Sequence, residues 1–263
     1  MQNQPKPSHR RRGIYLLPNL FTTAALFSGF FAVVAAMNGH FGDAAIAVFI
    51  AMILDGVDGR VARLTNTQSE FGAEYDSLSD MVSFGVAPSL VMYEWSLSSL
   101  VSQGAIWGKL AWLGAFVYVA CAALRLARFN VQVGTADKRY FLGLPSPAAA
   151  ATLVGLVWFC TEAGIKGEDV ALYALILTTF VGLLMVSNFF FYSFKEVNFK
   201  GRVPFIALLL VVLGFAFASI DPPKILFLVF LLYSLSGPFF SVLRRIRKNN
   251  NRSKQNNSKP DTE

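Results

Sequence analysis

Four aspartates in the segment 55–80 carry the strongest chemical signal in this sequence. Asp55 and Asp58 are three residues apart, and Asp76 and Asp80 are four residues apart. Residues at these spacings lie on one face of an α-helix, so each pair is expected to project from one side of its helix. Carboxylate oxygens are the ligands that hard divalent cations prefer. Two such faces brought together predict an oxygen-lined metal site.

An alternative explanation is that these acids are solvated at a loop edge or pair with Arg60 and Arg63. That explanation would suffice for a single acid at a helix end. Here two matched pairs flank the small residues Gly59 and Ala62, and Gly72 lies shortly before the second pair. Small residues let a ligand approach the helix backbone, and acids within membrane segments mark functional sites because they are costly there. The pattern therefore favours a binding site.

The segments that must position these acids are apolar helices. Of the 263 residues, 54% are hydrophobic and only 15% are charged, which indicates a polytopic membrane protein and excludes an ordinary soluble domain. We predict an all-α membrane bundle of about eight transmembrane helices, with short loops that make successive helices antiparallel neighbours. The predicted spans are roughly 16–38, 42–64, 73–98, 106–130, 147–163, 169–191, 203–219 and 223–245.

The positive charges are predicted to fix the orientation of the bundle. All but three of the 23 Lys and Arg residues fall at the N-terminus, near the loops after spans two, four and six, or at the C-terminal end; the exceptions are Lys109, Lys166 and Lys224. This asymmetry predicts that both termini are cytoplasmic. The net charge of +7 then serves orientation and not nucleic-acid binding. Because the acidic segment straddles the turn between spans two and three, its site should open at the cytoplasmic face.

The chain divides into four predicted regions. Residues 1–15 form a basic cytoplasmic or interfacial segment, and 16–195 form a six-helix core. Residues 196–247 add two further transmembrane helices. Residues 248–263 form a polar tail, whose composition predicts disorder.

The aspartate segment resembles the signature of a known family. Read from Asp55 to Asp80, the spacing D-x2-D-G-x2-A-R-x8-G-x3-D-x3-D is similar at every specified position to that of the CDP-alcohol phosphatidyltransferases. The resemblance implies transfer of a phosphatidyl group from CDP-diacylglycerol to an alcohol with release of CMP, Mg²⁺ or Mn²⁺ as cofactor, and a homodimer. It also implies metal ligands at Asp55, Asp58, Asp76 and Asp80, with Asp80 as general base, and CDP contacts at Asn19, Thr22, Asp58, Gly59, Ala62, Arg63 and Gly72.

Three further segments, 79–89, 125–131 and 141–150, resemble the phosphatidylserine-forming branch of that family. This likeness implies L-serine as acceptor, membrane lipids as partners and a location in the cytoplasmic membrane of a prokaryote. Arg125 and Arg128 share one helix face and are able to hold the serine carboxylate, with Asn130 and Ser146 as further candidate contacts. Arginines at an interface also snorkel, and Ser146 also suits a helix-entry turn, so both readings stay open.

Two other functions are compatible with parts of the pattern. Another acceptor, glycerol-3-phosphate or inositol phosphate, would need a second phosphate pocket, and the number of basic residues does not exclude one. A cation-coupled transporter would also place acids in the membrane. Transporters hold such acids near the bilayer midplane, in helices broken there, whereas the acids here cluster toward one face.

Overall fold

The computed structural model describes residues 16–65, 67–132, 140–192, 213, 216 and 219–256. Its helices are α1 (Leu16–Met37), α2 (Phe41–Thr65), α3 (Glu70–Asp80), α4 (Ala87–Trp95), α5 (Ala105–Gln132), α6 (Ser146–Glu162), α7 (Ala171–Val186) and α8 (Pro222–Asn256). A π-helical turn (Met81–Val86) joins α3 to α4, and 3₁₀ turns (Leu97–Gln103 and Gly167–Val170) precede α5 and α7. The predicted all-α class is confirmed. Two short strands, β1 (Tyr140–Leu142) and β2 (Phe190–Tyr192), are an addition that the sequence did not predict.

Helices α1 and α2 form a closely packed hairpin. The predicted break after the first span is confirmed, since Gly39 has φ +77°, a left-handed conformation that glycine adopts without steric cost. Small side chains line the interface and let the two backbones approach; the buried alanines are Ala25, Ala32, Ala35 and Ala36 on α1 and Ala44, Ala45, Ala47 and Ala51 on α2. The hydroxyl of Ser28 donates to the carbonyl of Ala47 at 2.7 Å. This hairpin brings the first half of α1 against the acidic end of α2.

The predicted span 73–98 is helical from Glu70 to Trp95, but it is not one regular α-helix. Its start is fixed by Ser69, whose hydroxyl accepts a hydrogen bond from the amide of Gly72 at 3.0 Å. Such a cap satisfies one of the amides that the first helical turn leaves without a partner. The cap sets where α3 begins and therefore the direction of the acids that follow.

The π turn interrupts this span directly after Asp80. Pro88 has no amide hydrogen, so it cannot serve the carbonyl of Phe84 four residues earlier. The hydroxyl of Tyr118 on α5 donates to that carbonyl instead, at 3.0 Å. Turns of this kind occur often at functional sites, and here the turn ties the span carrying Asp80 to α5.

The strands β1 and β2 pair antiparallel, with Phe141 opposite Phe191. They follow the carboxyl ends of α5 and α7, and β1 leads into α6. The predicted sixth span, 169–191, therefore ends its helix at Val186 and continues into a strand. The ribbon gathers the ends of three helices at the end of the bundle that holds the acidic segment.

Four of the described helices are long and apolar enough to cross a membrane: Pro18–Met37, Ala105–Val131, Gly167–Val186 and Pro222–Ser241. Together they mark an integral membrane protein. The other predicted spans within the described residues are helical, but they are shorter, more charged or less regular than these four. Helix α2 carries charges toward its end, the third span is interrupted by the π turn, and α6 has only 17 residues.

The C-terminal helix is longer than the predicted span 223–245. It continues to Asn256, so the first part of the tail predicted to be disordered, 248–256, is helical in the structure. Lys, Arg, Asn and Gln cost at most ~0.7 kcal/mol per residue in a helix relative to Ala, so a polar extension of an apolar helix is inexpensive. The predicted segment 1–15, most of the predicted span 203–219, and residues 257–263 lie outside the described residues.

Candidate active site

Three carboxylates converge between the second half of α2 and the last turns of α3. One oxygen from each of Asp55, Asp76 and Asp80 lies within 4.8 Å of the others, and all three residues are half-buried. Carboxylates this close repel one another unless a cation or a proton lies between them. Their all-oxygen chemistry suits a hard divalent cation. The predicted helical spacing thus places these acids close enough together to hold one ion.

Asp58 lies on the same helix but is buried against α1. It is only 4% exposed, and the hydroxyl of Thr22 donates to its Oδ2 at 2.7 Å. Asp58 also contributes to the electrostatic field at Asp80. All four predicted acids therefore lie in one neighbourhood. Of these four, Asp58 is the one outside the group of mutually close oxygens, and it accepts a hydrogen bond from Thr22 of α1.

Serine hydroxyls hold the acidic face of α3 on α1. Ser79 donates to the carbonyl of Thr22 at 3.1 Å, and Ser83 donates to the carbonyl of Ala25 at 3.1 Å. Both serines are buried, so these bonds are shielded from competition by water. They fix the acids of α3 relative to Asp58, which hydrogen-bonds to the same turn of α1.

The predicted CDP contacts differ in their surroundings. A Cβ added at Gly59 would meet no atom of the described residues within 4 Å, so this part of α2 borders open space among them. Arg63 is exposed beside it and donates from Nε to the carbonyl of Gly59 at 2.9 Å, while Ala62 is half-buried. Gly72 is more tightly packed, since a Cβ there would lie 3.1 Å from Oγ of Ser69 and 3.6 Å from Oδ1 of Asn19. Gly59 thus leaves room for a ligand, whereas Gly72 lies close to its own capping residue and in van der Waals range of α1.

Arg125 is buried at the heart of this end of the bundle and does not snorkel, since it is 8% exposed. Its Nη1 donates to the hydroxyl of Ser146 at 2.9 Å, and Ser146 is itself 1% exposed. Its charge interacts with Asp80. Among the described residues, its Nε has no hydrogen-bond partner. A buried charged group with an unused donor costs free energy, so this nitrogen is a candidate donor to a ligand.

Arg128, one turn further along α5, has a different environment. Its Nη2 donates to the carbonyl of Leu142 at 2.6 Å, and its two Nη atoms each lie 3.3 Å from a carbonyl at the end of α7, those of Met185 and Val186. The last carbonyls of a helix lack partners within it, and basic side chains commonly bind them. The geometry therefore uses these donors of Arg128 to join the loop before α6 to α7. These donors are directed at backbone carbonyls and not at the predicted acceptor.

Asn130 is exposed near the end of α5 and contacts α3. Its amide nitrogen donates to the hydroxyl of Ser77 at 3.1 Å. Ser77 follows Asp76 directly in the chain, so this bond joins α5 to the helix that carries the acids. Asn130 therefore contacts α3, while Ser146 contacts Arg125.

The sequence analysis did not identify two tyrosines in this neighbourhood. Tyr118 on α5 and Tyr233 on α8 both interact electrostatically with Arg125. A tyrosine within an apolar span is a weak signal, because its hydroxyl usually finds a partner when it is buried. The pairing with Arg125 could not be read from spacing, since only the packing of α8 brings Tyr233 to this place.

A separate groove of about 440 Å³ opens at the opposite end of the bundle, lined by Phe41, Trp95, Ser99, Thr161, Gly164, Ile165, Lys166, Gly167 and Glu168. Its charged residues, Lys166 and Glu168, are exposed and pair with each other at 3.4 Å. It contains none of the carboxylates of the acidic group. It therefore belongs to a different surface from the candidate active site.

Apolar helices that gather carboxylates and a buried arginine at one end define an integral membrane protein with a candidate cation-dependent active site. Residues 15–186 match the CDP-alcohol phosphatidyltransferase family. The chain belongs to this family. The match covers α1 to α7 and thus every predicted site residue.

Curated relatives agree with this assignment over most of their length. A protein of Helicobacter pylori is 35% identical over 238 residues, covering 90% of this chain and 97% of its own. A protein of Mycobacterium leprae is 32% identical, covering 91% and 78%, and one of Methanocaldococcus jannaschii is 35% identical, covering 72% and 80%. All three carry the name CDP-diacylglycerol–serine O-phosphatidyltransferase.

Proposed function

We propose that this protein transfers the phosphatidyl group of CDP-diacylglycerol to L-serine, forming phosphatidylserine and releasing CMP. The observation that carries the proposal is the convergence of Asp55, Asp76 and Asp80 beside the buried Arg125. The family match and the names of the relatives support the same reaction. A group of carboxylates alone would fit many metal-binding proteins. Carboxylates beside a buried arginine suit two substrates, a pyrophosphate bound through metal and an acceptor that carries a negative charge.

The carboxylate group fits a divalent cation, Mg²⁺ or Mn²⁺. Asp55, Asp76 and Asp80 would hold it, and Asp58 lies close enough to add to the negative field. When bound, such a cation neutralises pyrophosphate charge and stabilises the leaving CMP. The open surface at Gly59 and the exposed Arg63 border the same segment of α2. Arg63 is able to bind phosphate oxygens through two donors at once.

Asp80 is the proposed general base. In the transfer, the serine hydroxyl oxygen bonds to the phosphorus that bears diacylglycerol, and the bond from that phosphorus to the oxygen of CMP breaks. The hydroxyl proton passes to a carboxylate oxygen of Asp80. Asp80 suits this role because it belongs to the acidic group and also interacts electrostatically with Arg125.

Arg125 is the proposed partner of the serine carboxylate. Its buried Nε is available, and Ser146 holds its Nη1 in place. Arg128 instead holds the backbone of the loop before α6. Arg125→Lys should therefore raise the KM for serine more than that for CDP-diacylglycerol, because a lysine cannot reproduce the planar fork. Arg128→Lys should lower thermal stability and leave the ratio of the two KM values unchanged.

We further infer a homodimer in the cytoplasmic membrane of a prokaryote, with the active site at the cytoplasmic face. The basic residues around the acidic segment support this orientation. Leu64 is 83% exposed, so a cysteine placed there can be labelled to test the orientation in the membrane. A Leu64→Cys variant should react with a membrane-impermeant maleimide in inverted vesicles and be protected in intact cells. The native Cys121 and Cys160 are buried, which limits background labelling.

The decisive assay measures CMP release by the purified protein with CDP-diacylglycerol and Mg²⁺ or Mn²⁺. Serine, glycerol-3-phosphate and inositol phosphate are offered separately. We expect release with serine alone, and loss of activity on chelation that added metal restores. Release with another acceptor would refute the serine assignment, and no release with any acceptor would refute the proposed transfer.

A further inference from the structure

The C-terminal helix α8 lies outside the family match but is fixed tightly to the core. The hydroxyls of Ser234 on α8 and Thr152 on α6 share a hydrogen bond of 2.9 Å, and both residues are buried. A Cβ added at Gly155 would lie 3.2 Å from Cα of Phe227, so the two backbones approach closely there. The position of the first half of α8 is therefore set by its contacts with α6.

This packing presents Tyr233 to the acceptor side of the site. The ring of Tyr233 packs against Phe191 of β2, with centroids 5.7 Å apart. Gly237, one turn later, leaves space that the ring of Phe191 fills, since a Cβ there would overlap that ring. Tyr233 is half-buried, and its phenol interacts electrostatically with the guanidinium of Arg125.

The unused donor of Arg125 points to a ligand of a particular chemistry. Among the residues that the structure describes, Nε of Arg125 lacks a hydrogen-bond partner although the residue is 8% exposed. The large majority of buried side-chain donors in proteins have a hydrogen-bond partner. The donor set is a guanidinium bonded to the hydroxyl of Ser146, with the phenol of Tyr233 near enough to interact with it electrostatically. Such a set suits a small anionic group such as a carboxylate.

We propose that Tyr233 of α8 is a specificity-determining residue, which recognises the carboxylate of the amino-acid acceptor together with Arg125. This inference rests on the proposed function and extends it, since it makes the C-terminal helix part of the acceptor pocket. The phenol donates a hydrogen bond to one carboxylate oxygen while Arg125 binds the other.

The test compares serine with serinol, which replaces the carboxylate by a hydroxymethyl group and keeps the amine and the reacting hydroxyl. The ratio of kcat/KM for serine to kcat/KM for serinol is measured on one preparation, so any unfolded fraction cancels. Tyr233→Phe keeps the ring against Phe191 and removes only the hydroxyl. The serine preference should fall about tenfold, since the bond to a charged group is lost, while the KM for CDP-diacylglycerol stays at its original value.

Tyr173→Phe is the matched control, because Tyr173 is 73% exposed on α7. An unchanged serine preference in Tyr233→Phe, or an equal loss with both acceptors, would overturn the assignment of Tyr233. If the unaltered protein releases CMP with glycerol-3-phosphate and not with serine, the proposed function fails. In that case the ratio of kcat/KM for glycerol-3-phosphate to kcat/KM for glycerol tests whether Tyr233 recognises an anionic acceptor. An unchanged ratio in Tyr233→Phe again overturns the assignment of Tyr233.

Discussion

Thr22 is predicted to support the metal site through Asp58. The hydroxyl of Thr22 donates to Asp58 at 2.7 Å, and each residue is 4% exposed. The amide of Gly59 is the other donor that stabilises this carboxylate. Thr22→Val keeps the shape of the side chain and removes one of these two donors. A hydrogen bond to a charged group is worth about 1.5–3 kcal/mol, which corresponds to roughly 10- to 100-fold in an equilibrium constant at 1.4 kcal/mol per decade.

If Asp58 contributes to metal binding, this loss appears as a higher metal requirement. Removing a group that hydrogen-bonds to a metal ligand typically lowers metal affinity or activity 10- to 100-fold. The assay is CMP release as a function of free Mg²⁺ at fixed substrate concentrations. The half-saturating Mg²⁺ concentration should rise at least about tenfold in Thr22→Val, and Thr22→Ser should restore it.

Thr178→Val is the matched control. Thr178 is equally buried, but its hydroxyl donates to Ala174 of its own helix, so its loss should not alter the metal requirement. The reasoning would be refuted if Thr22→Val lost activity by the same factor at every Mg²⁺ concentration. In that case Asp58 would stabilise the packing of α1 on α2 without contributing to metal binding.

Three further predictions concern single groups. Asp80→Asn should lower kcat by about 100-fold or more, the usual contribution of a general base, while CDP still binds; equal loss of CDP binding would argue against the role as base. Gly143→Ala should destabilise the fold in thermal denaturation by more than ~2 kcal/mol, because Gly143 has φ +79° and a Cβ would overlap the carbonyl of Met185. Its control is Gly164→Ala, at φ +70° with open space, which should cost only about 1–2 kcal/mol; similar losses would show that packing at Gly143 is unimportant. Tyr118→Phe removes the hydroxyl that donates to the buried carbonyl of Phe84 and should cost about 1–3 kcal/mol; an unchanged melting temperature would contradict this role of the hydroxyl.

The helical spans were predictable because each is a local property of the chain. Apolar stretches of sufficient length form helices in a membrane, where the backbone must satisfy its own hydrogen bonds. The break at Gly39 and the start of α6 at Ser146 were also visible, since glycine and proline act locally. The interruption of the third span was not predicted, although Pro88 gave a local signal for it. The partner that compensates for it, Tyr118, comes from another helix.

The roles of the two arginines could not be separated by sequence. Arg125 and Arg128 lie one turn apart on the same helix and have the same chemistry. Their surroundings differ only after folding, because Ser146 faces one and the end of α7 faces the other. Spacing identifies side chains that share a face, but it does not identify what that face meets.

The sequence alone determined that paired acids on successive membrane helices could form one oxygen-rich group, because helical periodicity places residues three or four apart on one side. It also indicated the family, through residues held at fixed intervals. Only the tertiary structure decided that Asp58 bonds to α1, that Arg125 is buried with an unused donor, and that α8 reaches the site. These features depend on contacts between distant segments. Such contacts are set by how the helices pack, and no local pattern encodes them.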